Sequence, residues 1–300
     1  MQYKRISADC HLDLPWLPPE LFVSQVKREL KERMPYVEDG PDGPHWITKA
    51  GVNMGLVGGI GSVGGKFVPG QNYRVDKMAE TGLYEDGKKG VRRPGDPDQR
   101  IKDMDRDGVD AEIIFGILGV ASRIRDHEAA NEMLRIYNGW LKDFCGHYPD
   151  RQIGLACLPY GDIEAAVEEV YRVAKLGLKG LERYPNLRIG LGESGIGWLP
   201  YALDRMDFEY EDRFRDLMKL KPSEYWRRQC RATFQFDRIG AKLVEDIGVE
   251  TLMWGSDYPH PDGVWPESSK YIVEQFAGLA PEVVHKITCE NAAKFYNLIN

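Results

Sequence analysis

Short apolar runs alternate with amphipathic stretches along most of the chain. Each run ends at a glycine, a proline or a charged loop, which is typical of buried strands. The predicted strands are residues 6–10, 109–115, 153–158, 178–181, 187–191, 232–236 and 251–254. Helical spacing predicts helices between them, among others at residues 98–107, 126–148, 162–176, 201–220, 239–247 and 281–298. Alternating strands and helices indicate a parallel sheet, and 300 residues suit one α/β barrel.

Two stretches depart from this regular pattern. Residues 34–97 are rich in Gly, Pro and charge, and we interpret them as a long insertion within one domain of residues 1–300. Only residues 182–186 separate two predicted strands, whereas a parallel crossover needs about a dozen residues or more. We therefore expect one β/α unit to be missing there. Either the chain has a gap, which we favour, or the barrel is open, with strand edges that a partner subunit covers.

Composition excludes several classes of protein. The chain has 47 acidic and 40 basic residues, a net charge of −7, so no broad basic field favours nucleic acid or an anionic membrane. Five scattered cysteines without a C-x-x-C pair indicate a reducing compartment rather than a disulfide framework. No apolar stretch approaches the length of a membrane span, and no leader-like segment is evident. We expect a cytoplasmic protein.

The loop after the last predicted strand carries the strongest candidate chemistry. It presents Ser256, Asp257 and His260 between glycines and prolines. A carboxylate just past the C-terminal end of a barrel strand lies at the mouth where active sites form. The alternative is that Asp257 caps the helix that begins near Glu267.

A second candidate pair ends the first predicted strand. Asp9 and His11 are two residues apart, so both side chains point to the same side of the strand and suit a metal ion. Alternatively, they hydrogen-bond the proline-rich loop that follows. The first and last strands become neighbours when a barrel closes. We therefore predict that Asp9, His11 and Asp257 converge on one ion.

A third candidate, Glu193, follows the predicted strand 187–191 as a ligand or an acid/base group. The alternative is that it caps the helix near Pro200. Its neighbour Ser194 lies in a near-match to G-x-S-x-G, with Ile196 at the second glycine position, so a serine hydrolase is a weaker alternative. Residues 59–64 form a G-x-G-x-x-G pattern, but Pro69 argues against the helix that dinucleotide binding requires.

Five segments together resemble the amidohydrolase-related family. They are Asp9-Cys10-His11 with Pro15 and Pro19, residues 107–111, residues 154–159, residues 193–198 and the run Trp254-Gly255-Ser256-Asp257-Tyr258-Pro259-His260. The resemblance is to the branch with aminocarboxymuconate semialdehyde decarboxylase, γ-resorcylate decarboxylase and 5-carboxyvanillate decarboxylase. It implies a TIM-type (β/α)8 barrel with one divalent metal, Zn²⁺ or Mn²⁺, at the strand ends.

The same resemblance implies roles for individual residues. Asp9 and His11 correspond to the first-strand ligand pair, and Asp257 to the last-strand aspartate that binds metal and handles protons. Glu193 lies about where some members carry a further histidine. This sequence has no counterpart of the family's fifth-strand histidine, which belongs to the unit missing between Leu181 and Arg183.

The resemblance, together with these residues, implies a metal-dependent lyase or hydrolase. We favour non-oxidative decarboxylation of a small carboxylated substrate, with aromatic acids as one class. Hydrolysis of an amide, ester or lactone is the alternative, and an impaired barrel that only binds is another. We expect Asp257, Glu193 and His260 to act in catalysis, with His260 beside the ion or facing substrate rather than binding the ion. A homodimer is expected.

Overall fold

The structure is a computed structural model that describes residues 3–159, 164–166, 168–169, 172, 188–215 and 220–299. Its strands are β1 (Ile6–His11), β2 (Tyr36–Gly40), β3 (Gly43–Ile47), β4 (Asn53–Leu56), β5 (Ala111–Phe115), β6 (Gln152–Gly154), β7 (Ile189–Leu191), β8 (Cys230–Phe234) and β9 (Leu252–Trp254). The predicted strand 178–181, the interval 182–186 and its missing unit lie outside the described residues.

The helices fill the intervals between the parallel strands. They are Leu21–Gln25, Tyr73–Glu80, Leu83–Lys88, Pro97–Asp107, Leu118–Ala121, His127–Cys145, Leu199–Glu209, Pro222–Gln229, Arg238–Ala241, Val244–Ile247, Ser268–Gln275, Pro281–His285 and Asn291–Phe295. Residues 164–166, 168–169 and 172 are also helical. Within these ranges no helix has both the length and the apolar character to cross a bilayer.

Two parallel three-stranded sheets meet at β1. The first has the order β1–β5–β6 and the second β7–β8–β9. Backbone bonds join them: Asp257 N–H donates to Asp9 O at 2.8 Å, and His11 N–H donates to Tyr258 O at 2.8 Å. The spatial order is therefore β6–β5–β1–β9–β8–β7. The parallel α/β architecture is as predicted, although the described strands do not close into a ring.

Gly255 lies at the closest approach of β1 and β9. A Cβ atom added there would lie 2.5 Å from Asp9 Cβ and 2.8 Å from Asp9 N. We expect Gly255→Ala to push the two strands apart and to lower the free energy of unfolding by about 1–3 kcal/mol. Gly139→Ala is the matched control, because Gly139 lies in helix His127–Cys145 with nothing within 4 Å of the new Cβ. It should raise stability by about 0.5–1 kcal/mol. Urea unfolding measures both, and an unchanged midpoint for Gly255→Ala would contradict the close approach.

The insertion contains regular structure that the sequence did not predict. Strands β2, β3 and β4 form an antiparallel sheet, and β2 turns into β3 at the pair Gly40–Gly43. The Pro41-Asp42 turn between two glycines was an available signal for this hairpin. The single-domain organisation stays a prediction.

The insertion packs against the C-terminal end of β1, which carries the candidate residues Asp9 and His11. Its helices bury Val75, Met78, Leu83 and Tyr84 in one cluster with Cys10, Trp16, Tyr258 and Trp265. Tyr258 directly follows Asp257, so the insertion supports the loop that carries the strongest candidate residue.

Candidate metal centre

Three of the predicted acidic residues surround one ring nitrogen of His11. His11 Nε2 lies 3.2 Å from Asp9 Oδ1, 2.7 Å from Glu193 Oε1 and 3.3 Å from Asp257 Oδ1. His11, Glu193, Asp257 and His260 each offer a ligand atom, and these atoms lie within 4.8 Å of one another. The ends of β1, β7 and β9 thus deliver their polar residues to one point.

Asp9 is held in place by neighbouring strands. It is fully buried, and its Oδ2 accepts a hydrogen bond from Glu193 N–H at 2.9 Å and another from the Thr233 hydroxyl of β8. These contacts leave Oδ1 facing His11. Thr233 was not singled out from the sequence, because nothing in a strand pattern identifies a partner on another strand.

Glu193 and Asp257 both have left-handed backbone conformations. Their φ angles are 49° and 57°, and Asn297 is the other non-glycine residue with a positive φ in the described part. Such conformations are costly for residues other than glycine and persist where the surroundings fix them. Each follows a parallel strand and turns its side chain into the cluster.

An acidic residue, Asp13, contacts one ring nitrogen of His260 and orients the ring. Its Nε2 lies 2.6 Å from Asp13 Oδ2, while Nδ1 lies 3.0 Å from Asp257 Oδ1 and 3.6 Å from Glu193 Oε1. Its ring stacks on that of His11 with centroids 3.9 Å apart. A carboxylate on one ring nitrogen commonly fixes a histidine that presents its other nitrogen to a metal. Sequence reasoning missed Asp13, although Asp9-x-His11-x-Asp13 was a visible signal.

Several buried ligand atoms in the cluster make no hydrogen bond of good geometry with the described residues, although they lie within ion-pair distance of one another. They are Asp9 Oδ1, His11 Nε2 and both carboxylate oxygens of Asp257. Buried polar atoms are nearly always hydrogen-bonded, so a group of such atoms around one point fits a shared cation. Atoms that share an ion at bonds of about 2.0–2.2 Å lie roughly 3 Å apart, as these atoms do. Their nitrogen and carboxylate chemistry fits a divalent ion.

The protonation of the cluster follows from its crowded carboxylates. Burial alone would lower the pKa of His11, but Asp257, Asp9 and Glu193 raise it well above its usual range. The pKa of His260 is also raised, because Asp13 and Asp257 outweigh its burial. Burial raises the pKa of Asp257, whereas His11 and His260 lower that of Glu193. Without an ion, the carboxylates therefore favour the protonated form of both histidines.

Metal binding should release protons and strengthen as the pH rises. An ion needs the histidine nitrogens unprotonated, and the raised pKa values of His11 and His260 mean that protons must leave first. We expect affinity for Mn²⁺ or Zn²⁺ to increase between about pH 6 and pH 8. Calorimetric titration in two buffers of different ionisation enthalpy measures the released protons. An affinity independent of pH in this range would contradict the histidine assignment.

A buried ionic network underlies the cluster. Arg100 is fully buried, pairs with Glu112 of β5 and donates to the carbonyl of His11 at 2.9 Å. Its guanidinium carbon lies 5.0 Å from the ring centroid of Tyr258, whose hydroxyl donates to Asp103 at 2.8 Å. This network fixes the main chain on both sides of the β1–β9 junction.

Neither Asp257 nor Glu193 caps the helix that was its alternative role, because the N-cap residues are Glu267 and Trp198. Asp107 accepts the Ser268 N–H at 3.0 Å at the start of helix Ser268–Gln275. Asp237 accepts the N–H groups of Ile196 and Gly197 ahead of helix Leu199–Glu209. Both capping alternatives are therefore wrong.

Ser194 does not have the surroundings of a serine nucleophile. Its hydroxyl donates to the carbonyls of Gly195 and Thr233 at 2.9 and 3.4 Å. Among the described residues, no contact of this hydroxyl with a histidine is seen. The serine-hydrolase alternative thus has no support from the geometry.

Comparison with known proteins confirms the resemblance. Residues 181–298, which include Glu193, Asp257 and His260, match the family model described as amidohydrolase. A γ-resorcylate decarboxylase from Rhizobium sp. is 34% identical over 108 residues, which are 36% of this chain and 32% of that protein. A second, from Rhizobium radiobacter, is 33% identical over the same length. The chain spans about a third of the length of these curated relatives.

Solved structures show the fold. An amidohydrolase from Mycobacterium avium subsp. paratuberculosis has a TM-score of 0.70 at 16% identity, over 99% of this chain and 100% of that one. A 5-carboxyvanillate decarboxylase from Novosphingobium aromaticivorans has a TM-score of 0.65 at 17% identity, over 98% and 97%. That enzyme holds manganese and 3-methoxy-4-hydroxy-5-nitrobenzoic acid. The predicted TIM-barrel class is confirmed.

Proposed function

We propose that this protein, whose residues 181–298 match the amidohydrolase family, is a metal-dependent decarboxylase of small aromatic carboxylic acids. The observation that carries the proposal is the set of buried ligand atoms that meet around His11 Nε2. The decarboxylases among its relatives and structural neighbours support the choice of reaction.

Asp9, His11 and Asp257 would hold the ion, manganese or zinc. His260 would join them through Nδ1, because Asp13 contacts its other nitrogen and Nδ1 lies 3.0 Å from Asp257 Oδ1. The sequence placed His260 beside the ion, whereas these distances favour a direct ligand. Glu193, whose side chain is 39% exposed, occupies the open side where substrate approaches.

When bound, the ion would supply positive charge that orients substrate oxygens and stabilises developing negative charge. Asp257, whose pKa is raised by burial, would pass a proton to the ring carbon that bears the carboxylate. The bond from that carbon to the carboxylate then breaks, CO2 leaves and Asp257 is left ionised. Phe115 stacks beside His11, with ring centroids 5.7 Å apart, and offers an aromatic wall to a planar substrate.

The deciding experiment combines metal analysis with two assays. We expect about one Mn²⁺ or Zn²⁺ per chain and CO2 release from hydroxylated benzoates, both lost on chelation and restored by Mn²⁺. His11→Ala should lose the metal, whereas His285→Ala, which alters an exposed histidine, should keep it. Ester, amide or lactone hydrolysis without CO2 release would favour the hydrolase instead. Failure to bind metal at stoichiometric occupancy would leave only a binding protein.

We also propose how the protein assembles and where in the cell it is found. The substrate class follows from the proposed reaction, while the homodimer, the absence of nucleic-acid and membrane partners and the cytoplasmic location rest on the sequence alone.

A further inference from the structure

A strongly cationic cavity lies away from the metal centre. Its volume is about 290 Å³. Its wall includes five basic side chains and one acidic one: Arg188, Arg228, Arg231, Lys286, Lys294 and Glu250. This excess of positive charge is local, because the whole chain carries −7.

The cavity and the metal centre occupy opposite ends of the same strands. Arg188 directly precedes β7 and Arg231 is near the start of β8, whereas Glu193 and Asp257 follow the ends of β7 and β9. A strand rises about 3.3 Å per residue, so the two sites are separated by the length of the sheet. The proposed decarboxylation uses none of the residues that line this cavity.

Two arginines in the cavity donate hydrogen bonds to main-chain carbonyls. Arg231 donates to the carbonyls of Cys230 at 2.7 Å and Arg227 at 3.3 Å, and Arg188 donates to the carbonyls of Lys294 and Phe295. In the described part of the chain, neither forms an ion pair with a carboxylate. Burial and the charge of Arg188 lower the pKa of Arg231 more than Cys230 and Glu250 raise it, so the two guanidinium groups repel each other.

Both guanidinium groups lie near one aromatic ring. Their central carbons are 5.9 and 5.8 Å from the ring centroid of Phe295, for Arg188 and Arg231 respectively. The two arginines thus lie around the same side chain of the cavity wall.

We propose that this cavity is a binding site for a small polyanion, a phosphate ester or a polycarboxylate, held by Arg188 and Arg231. Planar guanidinium forks match phosphate and carboxylate oxygens in pairs. An anion between them would reduce the repulsion between the guanidinium groups of Arg188 and Arg231. The volume lies near the lower end of small-molecule sites, which fits a compact ligand rather than a polymer.

The test is calorimetric titration of the whole protein with sodium pyrophosphate and, separately, with citrate. The protein is first freed of metal by chelation and dialysis, so that neither anion acts by binding the ion. We expect saturable binding of one anion per chain and a higher melting temperature in its presence. Tighter pyrophosphate binding would indicate a phosphate ester, and tighter citrate binding a polycarboxylate.

Variants assign the binding to the arginine pair. Arg231→Gln and Arg188→Gln should each weaken binding by about tenfold or more, and Arg231→Lys should fall between Arg231→Gln and the parent protein. Arg205→Gln is the control, because Arg205 pairs with Glu209 on a helix outside the cavity. Arg188→Gln keeps the test decisive if Arg231→Gln does not fold. Non-saturable heat equal to that of sodium sulfate at matched ionic strength would overturn the proposal. The proposal would also be overturned if Arg188→Gln and Arg231→Gln both fold and bind the anion as tightly as the parent protein.

Discussion

Asp257→Asn should abolish turnover and weaken metal binding while the fold remains. The carboxylate is fully buried and its Oδ1 lies 3.3 Å from His11 Nε2 and 3.0 Å from His260 Nδ1, so the substitution changes the charge at the centre of the cluster. Asparagine has the same shape and tolerates the left-handed conformation at φ 57°. Loss of the proton donor alone should lower the rate by about 10²–10⁴-fold, and loss of a negative ligand adds to this.

Three measurements on Asp257→Asn separate function from folding. Decarboxylation rate and metal affinity should both fall, whereas the free energy of unfolding of the metal-free protein should stay equal or rise. The rise is expected because burial raises the pKa of Asp257, and an amide removes the cost of burying a charge. Asp246→Asn, which changes an exposed carboxylate, should leave all three unchanged. Full activity in Asp257→Asn would show that the assigned role is wrong.

Arg100→Met should have the largest effect on stability. The substitution leaves Glu112 as a buried charge without its partner and removes the hydrogen bond to the His11 carbonyl. Breaking such a pair from one side costs about 3–5 kcal/mol. Because the same arginine stacks on Tyr258, we also expect weaker metal binding in the protein that remains folded.

The double variant Arg100→Met/Glu112→Met identifies the source of that loss. Replacing both charges with apolar side chains removes the uncompensated carboxylate, so much of the lost stability should return. Lys88→Met breaks an exposed ion pair with Glu85 and should cost less than about 1 kcal/mol. Urea unfolding of the three variants provides the comparison. A loss below about 1 kcal/mol for Arg100→Met would contradict a structural role for the buried pair.

The parts of the site that follow from strand geometry could be predicted from the sequence. A period of two puts Asp9 and His11 on one side of β1, and the apolar run of β9 places Asp257 just past its end. Neighbouring first and last strands are a property of barrels as a class. The sequence therefore predicted that these three residues meet, and their distances to His11 Nε2 agree with it.

Contacts between distant segments could not be predicted in this way. The bond between His260 and Asp13 spans 247 residues, and that between Thr233 and Asp9 spans 224. Such pairs depend on how loops and strands pack, which local periodicity does not encode. The same limit applies to the insertion. Its hairpin turn could be recognised in the sequence, whereas its packing against β1 could not.

The packing of the insertion against Tyr258 and Trp265 has a consequence for engineering a shorter enzyme. Residues 34–97 look removable, because they contribute no strand to the two parallel sheets. Their deletion would expose both aromatic side chains and take Arg93 away from its buried partner Asp103, to which Tyr258 is also bonded. A trimmed protein would therefore need a redesigned surface at this end of β1 before its metal site could be expected to form. New substrate specificity is better sought by changing the insertion's side chains than by removing its backbone.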